Sequence, residues 1–420
     1  MDRRCRTARP LALTFRDLPV KRRLLSISTL YPAPIRPGFG RFVARQMEAL
    51  AARSDWDVTV INPIGLPPPP FSALGRYKPL AAIPPIESGG RVTVHHPRFL
   101  LVPGLSGRFN PWAITRAVLP LARKLHREAP FDLVDAQFFY PDGPAAADVA
   151  AALGLPHAIK ARGSDIHLWG GSAAALLQMR RAAHSAAAVL AVSGALAHDM
   201  EALHLAPPGG ITVHYTGLDR VRFQPLPRSE ARAQLSASLP NLTLRPTDRL
   251  AVCVGALIAI KGQALAIEAL TSLPGDIQLA LAGTGADEAA LRARAAAHGV
   301  SSRVHFLGAV SHETLPVLLS AADVMVLPSE REGLANAWIE ALACGTPLVI
   351  PPIGGAPEVL DRPAAGRLAE RTPAAIAAAI SEILAAPPAQ ADVAESAARF
   401  SWDANAAALA AIYEKAVSGR

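Results

Sequence analysis

The clearest chemical signal in the chain is a pair of glutamates separated by a short run of small and apolar residues. Glu332-Gly333-Leu334-Ala335-Asn336 leads through Trp338 and Ile339 to Glu340, and Ala341-Leu342-Ala343-Cys344-Gly345-Thr346-Pro347 follows. An apolar run ends at Leu327, so Glu332 and Gly333 fall in a loop, and a helix is expected from about Ala335. The start of such a helix offers unpaired N–H groups and the positive end of its dipole, a ready site for an anion. Gly333 has no Cβ, which lets a ligand approach the backbone. Glu340, about a turn farther along, can accept hydrogen bonds from neighbouring hydroxyls such as those of a ribose. Gly345-Thr346-Pro347 then ends the helix. On spacing alone, the string also fits a plain strand–loop–helix unit with two solvent-facing glutamates.

The elements that must position these residues alternate along the chain. Leu24–Ser28, Val58–Ile61, Val92–His95, Leu133–Asp135, Ala158–Lys160 and Val189–Val192 read as apolar strands, with helices expected at Arg41–Ala52 and Pro111–Glu128. The proline-rich stretch Pro63–Pro70 is expected to be neither helix nor central strand. The same alternation restarts at Leu250–Val254 and runs through Gln278–Ala282, Val304–Leu307, Val324–Leu327 and Leu348–Ile350, with helices between. Short apolar strands separated by helices argue for parallel sheets covered on both faces. The α/β class follows, with two doubly wound, Rossmann-like halves facing each other. In such sheets ligands bind at the carboxyl ends of the strands. The expected division is a basic leader over 1–23, a first domain over 24–222, a second over 223–400 and a final helix within 401–420, at Asp403–Val417.

At 420 residues and 51% hydrophobic, the chain can form two cores. It has no uninterrupted apolar run of about 18 residues, so no transmembrane helix is expected. Leu11–Phe15 is too short for a signal peptide and is followed by Arg16 and Asp17, so a disordered basic leader and a cytoplasmic protein are expected. Cys5, Cys253 and Cys344 have neither metal-ligand nor disulfide spacing; the last two read as buried small residues. The net charge of +8 admits nucleic acid, an anionic membrane or a phosphorylated substrate as partner. Basic and aromatic residues are not interleaved as in single-strand binders, which argues against nucleic acid. Lys21-Arg22-Arg23 and the arginine-rich leader suit a membrane surface, or simply a solvated tail.

Taken whole, the string from Glu332 to Val349, with Gly354-Gly355-Ala356-Pro357-Glu358 downstream, resembles the signature of glycosyltransferase family 4. The resemblance runs from about Leu24 to the end and implies the two-domain GT-B fold. It implies that Glu332 contacts the donor sugar, that Glu340 holds the ribose, and that Gly333, Leu334 and Ala335 offer N–H groups to the diphosphate or sugar. Val254-Gly255-Ala256 through Lys261-Gly262 resembles the strand and loop that neutralise the leaving diphosphate, with Ala256 where many members carry arginine. Gly283-Thr284-Gly285 resembles the turn beside the nucleotide, and Phe306–Val310 the stretch whose backbone borders the base. Pro37-Gly38-Phe39-Gly40 resembles the glycine loop near sugar and acceptor. Arg162-Gly163-Ser164-Asp165 stands where many members read His-Gly-x-Asp; an Arg-Gly-Ser-Asp form, together with Tyr140-Pro141-Asp142-Gly143, resembles branches that build bacterial surface polysaccharides.

The residues expected to carry catalysis are therefore Glu332, Lys261, Arg162 and Asp165. Those expected to hold the donor are Gly38, Gly40, Gly255, Gly283, Gly285, Val310, Gly333, Leu334, Ala335 and Glu340. His157 and His167 read as structural, and Asp219 as shaping the domain junction. The resemblance implies a retaining, metal-independent transfer of a hexose from a UDP- or GDP-sugar, without a cofactor. The acceptor is a glycan or a lipid-linked molecule at the inner membrane face, where the protein is expected as a peripheral partner. The alternatives are a non-catalytic nucleotide-sugar-binding subunit and another GT-B enzyme, an epimerase or a phosphorylase.

Overall fold

Strands of leucine, valine, isoleucine and alanine, buried on both faces, can pair only inside a sheet covered by helices. The computed structural model describes residues 21–88, 90–104, 106–239 and 241–419 and contains two such sheets. Eight strands form the first, in the spatial order Ile211–Val213, Ala188–Ala191, His157–Ala161, Leu133–Ala136, Arg22–Ile27, Trp56–Ile61, Thr93–His95 and Ile86–Glu87. All neighbours are parallel except the last pair. The second has six parallel strands, in the order Val304–Gly308, Ile277–Ala282, Arg249–Val254, Val324–Val326, Leu348–Ile350 and Gly366–Leu368.

In both sheets the strand order reverses at the centre, beside Arg22–Ile27 in the first and between Arg249–Val254 and Val324–Val326 in the second. Those reversals open crevices at the carboxyl ends of the strands, which is where the signature residues lie. The proline-rich stretch contributes only Ile64–Leu66, which pairs with Arg98–Leu100 in a separate two-stranded sheet.

After the second sheet is complete, helix Trp402–Ser418 returns to the first domain. It packs against helix Arg41–Ala51, and the Tyr413 ring meets Trp56 edge-on at 5.8 Å between centroids. Trp402 lies so close to Gly217 that a Cβ there would come within 2.2 Å of the indole.

The basic cluster needs correction. The leader through residue 20 lies outside the described residues, with Cys5, but Arg22 and Arg23 are the first residues of a strand. Arg22 pairs with Asp132 at 3.2 Å and Glu414 at 3.4 Å, and Arg23 with Asp57 at 3.1 Å. These two charges are answered within the protein and are not held out to a partner. Cys253 and Cys344 are buried thiols. Among the described residues no helix is long and apolar enough to cross a membrane.

Candidate functional site

The signature helix occupies Asn336–Ala343, and the loop before it carries Glu332 to Ala335. The N–H groups of Gly333, Leu334 and Ala335 donate to no acceptor among the described residues, while the Gly333 carbonyl is held by the Gly355 N–H at 2.8 Å. Leu334 and Ala335 are buried, so the loop is rigid and its free donors have a fixed direction. Lys261 comes from the neighbouring loop, in the turn Ala259–Lys261. Gly262, at φ 72°, packs where a Cβ would meet the Pro328 carbonyl at 2.2 Å, and this close approach sets Lys261 opposite Glu332. The two form an ion pair. Gly283 and Gly285 face the backbone of Gly255 and Leu257, so their missing side chains let the two loops pack together.

Glu340 is the unpaired member of the group. Its carboxylate has no hydrogen-bond partner among the described residues, and burial pushes it up to about 7. It lines a cavity of about 200 Å³ between the domains with Gly38 and Phe42 from the first domain, Asn336 and Ile339 from its own helix, and Trp402. Four basic groups missed at the sequence level also line it: Arg41, Arg45, Arg222 and His312. Burial, then the charges of Arg41 and Arg222, lower the His312 imidazole, which marks the group as electrically one cluster. The signal for Arg41 and Arg45 was their i, i+4 spacing directly after Gly40, which puts both on one face of the helix. Val310 packs against the core two residues before His312. A second cavity of about 770 Å³, lined by Tyr31, Glu48, Arg91 and Val92, shares Arg45 and Trp402 with the first.

Arg162 and Gly163 meet the signature loop from the first domain. A Cβ on Gly333 would come within 2.8 Å of the Arg162 carbonyl, and one on Gly163, at φ 108°, within 3.1 Å of Gly333. The Arg162 side chain donates to the Gln137 side-chain oxygen at 2.6 Å and the Gln137 carbonyl at 3.1 Å, with the Phe42 ring 5.1 Å away. Burial lowers its guanidinium to about 10, which leaves it charged at neutral pH.

Asp165 differs from its expected catalytic part. It is fully buried and accepts from the backbone N–H groups of Phe139 at 2.6 Å, Arg162 at 3.0 Å, Gly163 at 2.8 Å and Ile166 at 3.1 Å. Burial raises this carboxyl and the four donors oppose the rise. With its oxygens so committed, Asp165 fixes the Arg162-Gly163 turn and has no path to a substrate. Asp142 is buried in the same way and holds the Thr29 N–H at 2.8 Å.

Glu358 bridges the domains. Its carboxylate accepts from the N–H groups of Gly194 at 3.0 Å and Ala195 at 3.2 Å, at the start of helix Gly194–Ala202, and from the Tyr215 hydroxyl at 2.7 Å. A helix start is a favourable place for this negative charge.

Residues 37–222 match the family described as Glycosyltransferase Family 4, and residues 238–400 match the one described as Glycosyl transferases group 1. Over 336 residues, 79% of this chain and 82% of the relative, it is 31% identical to TuaC of Bacillus subtilis, a glycosyltransferase named for teichuronic acid biosynthesis. The chain belongs to glycosyltransferase family 4. The chain also matches the D-inositol 3-phosphate glycosyltransferase of Mycolicibacterium gilvum, 32% identical over 230 residues, or 53% of this chain and 50% of that relative. The fold of this glycosyltransferase is GT-B. Sucrose-phosphate synthase of Thermosynechococcus elongatus superposes with a TM-score of 0.75 at 20% identity, covering 95% of this chain and all of that one. HepE of Anabaena, solved in complex with UDP-glucose, superposes with a TM-score of 0.67 at 20% identity, covering 93% and 99%.

Proposed function

We propose that this glycosyltransferase moves a hexose from a UDP- or GDP-sugar to a glycan or lipid-linked acceptor, with retention at the anomeric carbon and without a metal. The observation that carries the reading is an unpaired carboxylate, Glu340, lining an inter-domain cavity with Asn336 at the start of its helix, directly after a loop whose Gly333–Ala335 N–H groups have no acceptor among the described residues. A ribose diol fits the carboxylate and a diphosphate the N–H groups. The UDP-glucose complex of the similarly folded HepE supports a nucleotide sugar as donor. The relation to TuaC supports a product in surface-polysaccharide synthesis.

In the reaction the bond from the anomeric carbon to the phosphate oxygen breaks, and negative charge grows on the leaving diphosphate. Lys261 and the Gly333–Ala335 N–H groups stabilise that charge, and fixed donors of this kind are usually the largest single contribution to catalysis. Glu332 exchanges its pairing with Lys261 for hydroxyls of the sugar. The acceptor hydroxyl attacks the face that the diphosphate leaves, and its proton passes to a departing phosphate oxygen. The larger cavity, beside the donor cavity and lined from the first domain, is the place for the acceptor. The Gly163–Gly333 contact closes the site against water, which limits hydrolysis of the donor.

Calorimetric titration with UDP, GDP and ADP tests the reading. Tight binding of UDP or GDP, weakened at least tenfold in Glu340→Ala, is the expected outcome, since each 1.4 kcal/mol lost is tenfold in affinity. Binding of none of the three would overturn it and favour a fold that has lost its donor site.

A further inference from the structure

The segment from Asn62 to Glu128 carries nine lysines and arginines against two carboxylates, Glu87 and Glu128. Glu87 is hydrogen-bonded with His96 at 2.9 Å and Glu128 lies 3.9 Å from Lys124, so seven positive charges remain in excess. The segment builds an appendage on the first domain. Strand Ile64–Leu66 pairs with Arg98–Leu100, helix Tyr77–Ala81 and the turn Phe71–Ala73 pack beside it, and helix Asn110–Glu128 lies against Arg98–Leu100.

This basic appendage also exposes large apolar side chains: Phe71 at 61%, Leu74 at 58%, Leu100 at 57%, Phe109 at 53% and Trp112 at 61%. The long helix shows the division most plainly. Ile114, Val118 and Ala122 are buried on one face, while Trp112, Arg116, Arg123, Lys124 and Arg127 are exposed on the other. Arg108 lies over the Phe109 ring at 4.7 Å and Arg116 over Trp112 at 5.1 Å. Aromatic rings beside cations, with exposed aliphatic side chains on the same appendage, suit one partner chemistry. Rings and leucines enter the boundary between headgroups and acyl chains, and the cations meet anionic headgroups. A polyanion such as nucleic acid would answer the charges and leave Leu74 and Leu100 in water.

We infer that this face of the first domain, and not the basic leader, docks the enzyme onto an anionic phospholipid bilayer. Arg22 and Arg23, at the junction with the leader, are tied to Asp132 and Asp57, whereas Arg116 and Arg123 have no carboxylate within salt-bridge distance among the described residues. The inference is independent of the identity of the donor, because it concerns a surface formed only by the first domain.

The test is co-sedimentation of the full chain with vesicles of phosphatidylglycerol and phosphatidylcholine, and of phosphatidylcholine alone, at low and high salt. The wild-type protein is expected on the anionic vesicles and to be largely released by salt. Arg116→Gln with Arg123→Gln should weaken binding by roughly fivefold per charge removed. Trp112→Ser should weaken it roughly tenfold, with unchanged thermal midpoint as the control for folding. Three results would overturn the inference: no preference for anionic vesicles, binding undiminished in both face variants, or loss of binding only when Arg3, Arg4, Arg6 and Arg9 are changed to serine in the full chain.

Discussion

Glu340 shows how a single carboxylate connects burial to recognition. Its value near 7 means that near neutral pH it is shared between neutral and ionised forms. Only the ionised form accepts from both hydroxyls of a diol without a competing proton. Nucleotide affinity should therefore rise as pH increases from 6 to 8, and Glu340→Gln should flatten that dependence, both read by calorimetry. The stability consequence has the opposite sign. The folded state holds the proton more tightly than the unfolded state, so the fold loses stability as pH rises through the window between the ordinary carboxylate range and about 7. Glu340→Gln is thus expected to stabilise the protein at pH 8, by on the order of 1 kcal/mol after screening by the open cavity. At this scale the sequence was legible where chemistry is local. Glu332, Gly333, Lys261 and Glu340 stand in loops and helix faces set by their immediate neighbours. Asp165 was not legible, because a carboxylate turned inward onto four backbone N–H groups has the same letter as one turned outward. The basic cluster of Arg41, Arg45, Arg222 and His312 is also assembled from distant segments, and only Arg41 and Arg45 left a trace in the sequence.

Among the elements, the contact of two glycines sets how close the halves of the site come. Gly333 faces the Arg162 carbonyl with no room for a Cβ, so Gly333→Ala should hold the domains apart. Each domain keeps its core in that variant, so circular dichroism and the thermal midpoint should change little while kcat falls by about 100-fold, the scale of losing aligned groups. Strand and helix positions were largely legible, because buried parallel strands are apolar throughout and their boundaries fall at glycines and prolines. The misread boundaries have physical reasons. The helix between Val304–Gly308 and Val324–Val326 begins only at Leu315, after Ser311 accepts the Thr314 N–H at 3.1 Å and with Pro316 in its first turn. The first strand extends back to Arg22 because its charged side chains find Asp132 and Asp57 at the starts of the two neighbouring strands, far away in sequence.

At the scale of the whole molecule, the final helix and Glu358 fix the relation of the two domains. Tyr413 on that helix lies 3.2 Å from the Gln137 amide nitrogen, and Gln137 in turn holds Arg162, so the helix reaches the support of the cleft. Glu358 accepts three hydrogen bonds from the first domain. Glu358→Ala leaves those donors unpaired and should favour an open arrangement. The expected result is a larger radius of gyration by small-angle X-ray scattering and a severalfold weaker apparent donor affinity, since the closed form that binds is less populated. Such long-range ties were the least legible feature, because a sequence does not record that residues 194 and 358 are neighbours.

The central claim is that the donor's ribose rests on Glu340 and its diphosphate on the loop before the same helix. A crystal structure with whichever of UDP or GDP binds more tightly tests it most directly. The account predicts ribose hydroxyls within hydrogen-bond distance of the Glu340 carboxylate and phosphate oxygens on the Gly333–Ala335 N–H groups, with Lys261 turned from Glu332 towards the phosphates. A nucleotide seated elsewhere, for example in the larger cavity lined by Tyr31 and Arg91, would contradict it.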